Sequence, residues 1–404
     1  MSKDYSKHFL MNTDDVKNYV IHKGFFDSNA DLVCSEIGDG NINYVFKVID
    51  EKTGKSLVIK QADKLLRSSG RPLDLHRSKI EAEILRIEGS LAPSMVPKVY
   101  LYDDALCALV MEDISAYKNL RTQMLEGHTF SHFTENISDF LAATLIPTTD
   151  LVIARAEKKE RVKLFTNIEL CDITEDLVLT EPYYDYKKRN IITRGNKDFV
   201  ETHLYKNEAL KAQAGILRNS FMNEAQALIH GDLHTGSIFI NEKGIKIIDP
   251  EFAFYGPMGY DIGNVIGNMF FALAHKSFCE SKNKAFIQWA EQCIADIVDL
   301  TEAKLAKKYD ECVSFPLYTD GFKKSYLARV KADSLGFAGT EIIRRVVGDT
   351  KVKELSSVKD GAVKIRMERA LILTGEHLIM NRHKNLSGKN IVNLFKKAQK
   401  EVAE

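Results

Sequence analysis

Strand-like segments crowd into the first ~110 residues and then almost vanish, and this asymmetry constrains the fold more than any other feature. Val33 to Ile37, Tyr44 to Ile49 and Ser56 to Ala62 are short and rich in β-branched or aromatic residues. They are separated by Gly38-Asp39-Gly40-Asn41 and by Asp50 to Lys55, both turn-forming in composition. A helical segment, His76 to Glu88, precedes two more strands, Lys98 to Leu101 and Ala108 to Glu112. Ahead of them, Thr13 is the expected cap of a helix from Asp14 to His22, whose first turn carries two carboxylates where the dipole favours them. After Asp113 the pattern is helical, apart from a hairpin near Ser237 to Ile248 turning at Lys243-Gly244. The expectation is an α+β chain of two lobes, an antiparallel-sheet lobe over 1–112 and a helical lobe over 113–404.

A chain of 404 residues is too long for one simple core and suits two lobes, or two to three small domains. Lysine and arginine balance aspartate and glutamate, 56 against 56, which gives no reason to expect a nucleic acid as main partner. Six scattered cysteines without a CxxC pair argue against a zinc site or a disulfide framework and suit a reducing cytosol. The amino terminus has no apolar signal core, and no run of about 18 apolar residues occurs. A cytoplasmic protein with no membrane partner is expected.

Three constellations carry chemistry. In Gly38-Asp39-Gly40-Asn41-Ile42-Asn43, glycines would let backbone amides approach a phosphate, though alone the segment reads as a hairpin turn. Lys60, in Leu57-Val58-Ile59-Lys60, can point inward as a charge for phosphates, or outward on a wet face. Its partner would be Glu81 or Glu83, which lie about 200° apart round a helix, so at most one faces it. The third is decisive: Ile229-His230-Gly231-Asp232-Leu233-His234-Thr235-Gly236-Ser237, then Asp249-Pro250-Glu251. Pro250 biases Asp249 towards extended backbone, in which Asp249 and Glu251 project to one side as a hard-cation site of the kind that holds Mg²⁺. Asp232, with no basic residue beside it, is placed to take a proton from a hydroxyl. His230 alone reads as a core histidine satisfied by backbone.

This order (glycine turn, strand lysine, helix glutamate, His-x-Asp loop, metal carboxylates) resembles the protein-kinase-like fold. His230-Gly231-Asp232 and Asp249-Pro250-Glu251 depart from the protein-kinase motifs, and no Ala-Pro-Glu segment follows, which points to the small-molecule branch of aminoglycoside, choline and homoserine kinases. Together with VMEDIS at Val110 to Ser115, DPEFAFYGPMGYD ending at Asp261 and IRR at Ile343 to Arg345, the chain is similar over nearly its whole length to the 5-methylthioribose kinase family.

The resemblance implies transfer of phosphate from ATP, with Mg²⁺, to the 1-hydroxyl of 5-methylthioribose in methionine salvage, by a cytoplasmic homodimer. It implies Asp232 as catalytic base and substrate contact, and Asp249 and Glu251 as metal ligands. It implies ATP binding by Gly38, Gly40, Asn41, Asn43, Lys60, Glu81 and the segment Met111, Glu112, Asp113, Ile114. Arg344 and Arg345 fall at the sugar, and His230 and Asp261 support the loop. Ser237 stands where an asparagine usually helps to hold metal, and a hydroxyl is a poorer ligand. Periodicity alone puts Arg344 and Arg345 opposite Leu335, Ile342, Ile343, Val346 and Val347, on a solvated face; the resemblance turns that face to the acceptor. The alternatives are a kinase for choline, an aminoglycoside or homoserine, or a non-catalytic nucleotide-binding scaffold.

Overall fold

The early β-rich segments pair into one antiparallel sheet: β1 (Leu32–Glu36), β2 (Tyr44–Asp50), β3 (Ser56–Gln61), β4 (Val99–Asp103) and β5 (Ala108–Met111), in the order β1-β2-β3-β5-β4. In this computed structural model, which describes residues 3–37, 43–65 and 74–403, the chain divides into two units. One comprises Met1–Tyr117 and Lys246–Phe252, the other Lys118–Ile245 and Ala253–Glu404. Residues 246–252 therefore join the sheet unit, although their place in sequence had put them in the helical half. One backbone bond and one side-chain bond hold them there: the Ile247 amide donates to Met95 O at 2.8 Å, and the Lys246 ammonium donates to Val96 O at 3.1 Å. No local pattern announces such pairings.

Register explains the core of the first unit. Phe46 lies opposite Ile59, Val48 opposite Leu57, and Ile59 opposite Val110, so one face of the sheet is continuously apolar. Helix α1 (Thr13–His22) lays Val16, Tyr19 and Val20 on that face, and all three are buried. Each large side chain so covered contributes roughly 1.5–3 kcal/mol. The cap of α1 is Asn12, not Thr13; the Asn12 side chain accepts from the Asp15 amide at 2.9 Å while Asp15 bonds back, a capping box. Thr13 is the first helical residue.

Strand β3 is buried at five successive positions, Leu57 to Gln61, so it has no wet face. Leu57 and Ile59 meet α1; Val58 and Lys60 project the other way. Helix α2 (His76–Leu91) answers with an unusual buried stripe, Arg77, Glu81, Leu85 and Glu88, spaced at three and four residues. A helix that buries charge in this pattern is positioning it.

The second unit is built of helices, the longest being Gly259–Cys279, Lys284–Cys312, Asp320–Val347 and Ala362–Asn381. Gly259, Gly263 and Gly267 recur every fourth residue along the first of these, where it meets Asp320–Val347. A Cβ at Gly263 would stand 2.7 Å from the Ala338 amide nitrogen, and one at Gly259 would stand 2.7 Å from that of Ser334. The two backbones touch, which fixes the register of the helix that carries Glu341, Arg344 and Arg345.

Candidate active site

In the first unit a single ammonium is shared among carboxylates. Lys60 Nζ lies 2.8 Å from Glu81 Oε1 and 2.7 Å from Asp249 Oδ1. Of the two candidate partners on α2 it is therefore Glu81 that faces Lys60, while Glu83 pairs with Arg86 on the outer side. Burial disfavours the charged amine, but Asp249, Glu81 and Glu251 together outweigh it and hold Lys60 well above its usual range. Burial pushes the Glu81 carboxyl up, against the pull of Lys60.

Asp249 is not extended. Its φ is +62°, in the left-handed region that aspartate tolerates better than most residues, and Pro250–Phe252 forms one 3-10 turn. The expectation of two carboxylates projecting from extended chain fails here, because proline excludes only the right-handed helical region for its predecessor and leaves a second escape. Backbone strain of this kind gathers at functional sites. The turn leaves Asp249 half-exposed while Glu251 is buried. Glu251 Oε2 accepts from Asn43 Nδ2 at 3.2 Å and lies 3.5 Å from Arg77 Nε, and Arg77 also donates to Asn43 Oδ1 at 3.1 Å. Gly38, Gly40 and Asn41 lie outside the described residues.

The segment after β5 commits its side chains within the same unit. Glu112 accepts from the Lys98 amide at 3.0 Å and from Lys246 Nζ at 2.8 Å; Asp113 accepts from Ser56 Oγ at 2.7 Å and pairs with Lys47 at 2.9 Å. Burial raises the Asp113 carboxyl, but Lys47 and Ser56 draw it below its usual range. Met111 and Ile114 flank this pair in the chain.

In the second unit, strand Ala227–Ile229 pairs antiparallel with Phe254–Gly256 and delivers the loop that holds Asp232. Asp261, in the first turn of helix Gly259–Cys279, receives the His230 amide at 2.7 Å and the Gly231 amide at 3.0 Å. Gly231 takes φ +81°, a conformation few other residues adopt readily. His230 is buried, and its Nδ1 accepts from the Asp232 amide at 3.2 Å. The loop is thus braced from both sides by short-range bonds.

Asp232 has no basic neighbour in sequence but several in space. Burial pushes its carboxyl up, yet the cationic Arg345 and Arg344 beside it, with the His234 ring, bring it below its usual range. Arg344 and Arg345 are not on a solvated face. Helix Asp320–Val347 is buried almost all round from Val330 to its end, and Arg345 is only 6% exposed. Glu341, one turn earlier, holds both guanidiniums: Arg344 Nε at 2.8 Å on Oε2 and Arg345 Nε at 2.9 Å on Oε1. Against its own burial, the two cations pull Glu341 down to about 2. Sequence reading missed Glu341, Arg77 and any role for His234. Glu341 had a signal, its spacing of three and four residues before the arginines; Arg77 had none.

The fit of a divalent cation can be judged from the donors. Asp249 and Glu251 are hard oxygen ligands two residues apart within one unit, and no group of three or more candidate ligands occurs among the described residues. Two carboxylates with the remaining positions left to phosphate and water suit Mg²⁺ better than a metal needing a full protein cage.

These features define a phosphotransferase, and residues 33–291 match the family described as "Phosphotransferase enzyme family". A methylthioribose kinase of Geobacillus sp. (strain WCH70) is 38% identical over 379 residues, 93% of this chain and 92% of that one. One from Geobacillus thermodenitrificans (strain NG80-2) is 38% identical over 369 residues, 90% of each chain. One from Bacillus pumilus (strain SAFR-032) is 35% identical over 385 residues, 94% of this chain and 95% of that one. The chain belongs to the methylthioribose kinase branch of that family. Its fold is the protein-kinase-like α+β fold, and it is a small-molecule kinase.

Proposed function

We propose that this chain transfers the γ-phosphoryl group of ATP to the 1-hydroxyl of 5-methylthioribose. Full-length similarity to methylthioribose kinases supports the acceptor. One observation carries the chemistry: Asp232 is kept ionised beside two buried guanidiniums that share one carboxylate. A buried cationic pair is suited to a neutral polyol becoming a phosphate ester and ill suited to choline or another cationic acceptor.

Asp232 accepts the proton of the attacking hydroxyl. Arg344 and Arg345 donate to sugar hydroxyls in the ground state and offset charge on the phosphoryl group as it transfers. Lys60, fixed by Glu81, meets the ATP phosphates, and the backbone of Met111 to Ile114 meets adenine. Asp249 and Glu251 would hold Mg²⁺, which when bound supplies neutralisation of phosphate charge. Gly38, Gly40, Asn41 and Asn43 complete the nucleotide contacts in this reading. It further includes a homodimer acting in methionine salvage in the cytoplasm; six cysteines, all unpaired, are in keeping with a reducing compartment.

The test is ADP release with methylthioribose, ribose and choline in parallel, with Asp232→Asn as comparison. Methylthioribose should be the preferred acceptor. Asp232→Asn should lose about 10²–10⁴-fold in kcat while still binding ATP. Turnover with choline alone would end the assignment.

A further inference from the structure

Ser237 and His234 form an arrangement that the proposed chemistry leaves unused. The Ser237 amide is shared between His234 O at 2.9 Å and His234 Nδ1 at 3.0 Å, and Ser237 Oγ lies 3.1 Å from the same nitrogen. An amide can only donate, so Nδ1 must present its lone pair, and a neutral ring then carries its proton on Nε2. That Nε2 faces Asp232 Oδ2 at 3.5 Å. Ser237 Oγ also lies 3.2 Å from Asp232 O, which ties the loop back to its own aspartate. We propose that His234 is a positioning residue whose Nε2–H, fixed in that tautomer by the Ser237 amide, is donated to Asp232 and aims its carboxylate at the acceptor hydroxyl.

Surrounding charges keep the ring neutral. Arg121 stands over the same turn: its amide donates to Thr235 O at 3.2 Å and its Nε to Thr235 Oγ1 at 3.2 Å. Burial, with Arg121 and Arg345 nearby, brings His234 down to about 4 against the opposing pull of Asp232. A neutral donor is what a general base requires. An imidazolium would hold the carboxylate as a salt bridge and sap its basicity, whereas a neutral N–H orients it at small cost in proton affinity. The inference also gives Ser237 a task. At the place where a metal-binding asparagine is usual, it sets a tautomer instead.

The inference rests on Asp232 as base, so Asp232→Asn is assayed alongside. His234→Ala should lower kcat about ten- to a hundredfold with little change in KM for ATP. His234→Gln, whose amide nitrogen can occupy the Nε2 position, should recover most of that loss. The acidic limb of the kcat/KM profile should move up in His234→Ala, since a donated hydrogen bond favours the ionised carboxylate. Other groups acting on Asp232, namely Arg344, Arg345, Glu341, Tyr260 and Asp261, are the same in both variants. An independent readout on the unmodified enzyme is the ¹⁵N spectrum of labelled histidine, assigned by the signal lost in His234→Gln.

A ring protonated on Nε2 alone at pH 7 is expected; one protonated on Nδ1, or on both nitrogens, overturns the proposal. So does equal loss in the alanine and glutamine variants without a shifted limb, while Asp232→Asn is inactive; that outcome leaves the kinase reading standing. Full turnover by Asp232→Asn would remove both.

Discussion

Lys60 shows how one side chain can serve structure and chemistry at once. It is buried, with Glu81 and Asp249 within 2.8 Å and 2.7 Å, and removing the ammonium would leave Glu81 as an uncompensated buried charge. Breaking a buried pair costs about 3–5 kcal/mol, whereas replacing both partners by apolar residues of similar volume is often neutral. Lys60→Met should therefore unfold at markedly lower denaturant, and Lys60→Met/Glu81→Leu should regain most of the stability without regaining activity. Urea titrations of the single and double variants, with turnover measured on each, check this. A double variant as unstable as the single one would contradict the physical picture of the pair. Lys60 and Glu81 were legible from sequence only as candidates: strand alternation left Lys60 pointing inward or outward, and helix geometry said only that at most one of Glu81 and Glu83 faces it. Glu341 and Arg77 were not singled out: Glu341 had its spacing before Arg344 and Arg345 as an unused signal, whereas the significance of Arg77 lies in the distant residues it meets, Glu251 and Asn43.

At the scale of elements, sheet strands and helix α2 fell within a few residues of their sequence-read bounds, because period-two apolar alternation and turn residues act locally. The failures were of another kind. The cap of α1 moved one residue to Asn12, since asparagine and threonine both cap well and only tertiary geometry chooses. The hairpin turns at Glu242-Lys243, with Gly244 opening the following strand at φ +158°. Asp249 took a positive φ, which aspartate tolerates, where the following proline had suggested extended backbone.

Contacts between helices were equally hidden, although the Gly259, Gly263, Gly267 spacing was in plain view. That spacing makes a prediction. Gly263→Ala puts a methyl against the Ala338 backbone at 2.7 Å and should cost about 1–3 kcal/mol, with a fall in kcat as Glu341, Arg344 and Arg345 shift. Gly215→Ala, in helix Glu208–Asn223 where a methyl meets nothing within 4 Å, should instead gain about 0.4–1 kcal/mol and leave activity unchanged. Chemical denaturation of the two variants side by side decides; destabilisation of similar size in both would refute the close-contact explanation.

For the whole molecule, the perturbed groups oppose one another across the pH scale, and their windows predict the shape of the stability curve. His234, brought from 6.5 to about 4, adds stability that is present above pH 6.5 and is lost as pH falls towards 4. Glu81, raised from 4.5 to about 7, and Asp333, raised from 3.8 to about 6, both mainly by burial, work the other way: their stability is present at low pH and is lost as pH rises through those values. Between about pH 6 and 4.5 the two carboxyls outweigh the one imidazole, so stability should rise modestly as pH falls through that window.

Below that, Glu341 dominates. Its carboxyl is drawn from 4.5 to about 2, so its stability is intact above 4.5 and disappears as pH falls towards 2. A shift of that size corresponds to roughly 3 kcal/mol. Stability should therefore reach its maximum near pH 4.5 and fall as the pH drops further. Glu341→Gln should be less stable at pH 7, because two buried guanidiniums lose their anion, yet its further decline between pH 4.5 and 2.5 should be much shallower than that of the parent. Denaturant midpoints across that range, measured for both proteins, provide the comparison. If both decline with the same slope, the acid sensitivity lies elsewhere, and Glu341 is not the residue that couples the arginine pair to folding.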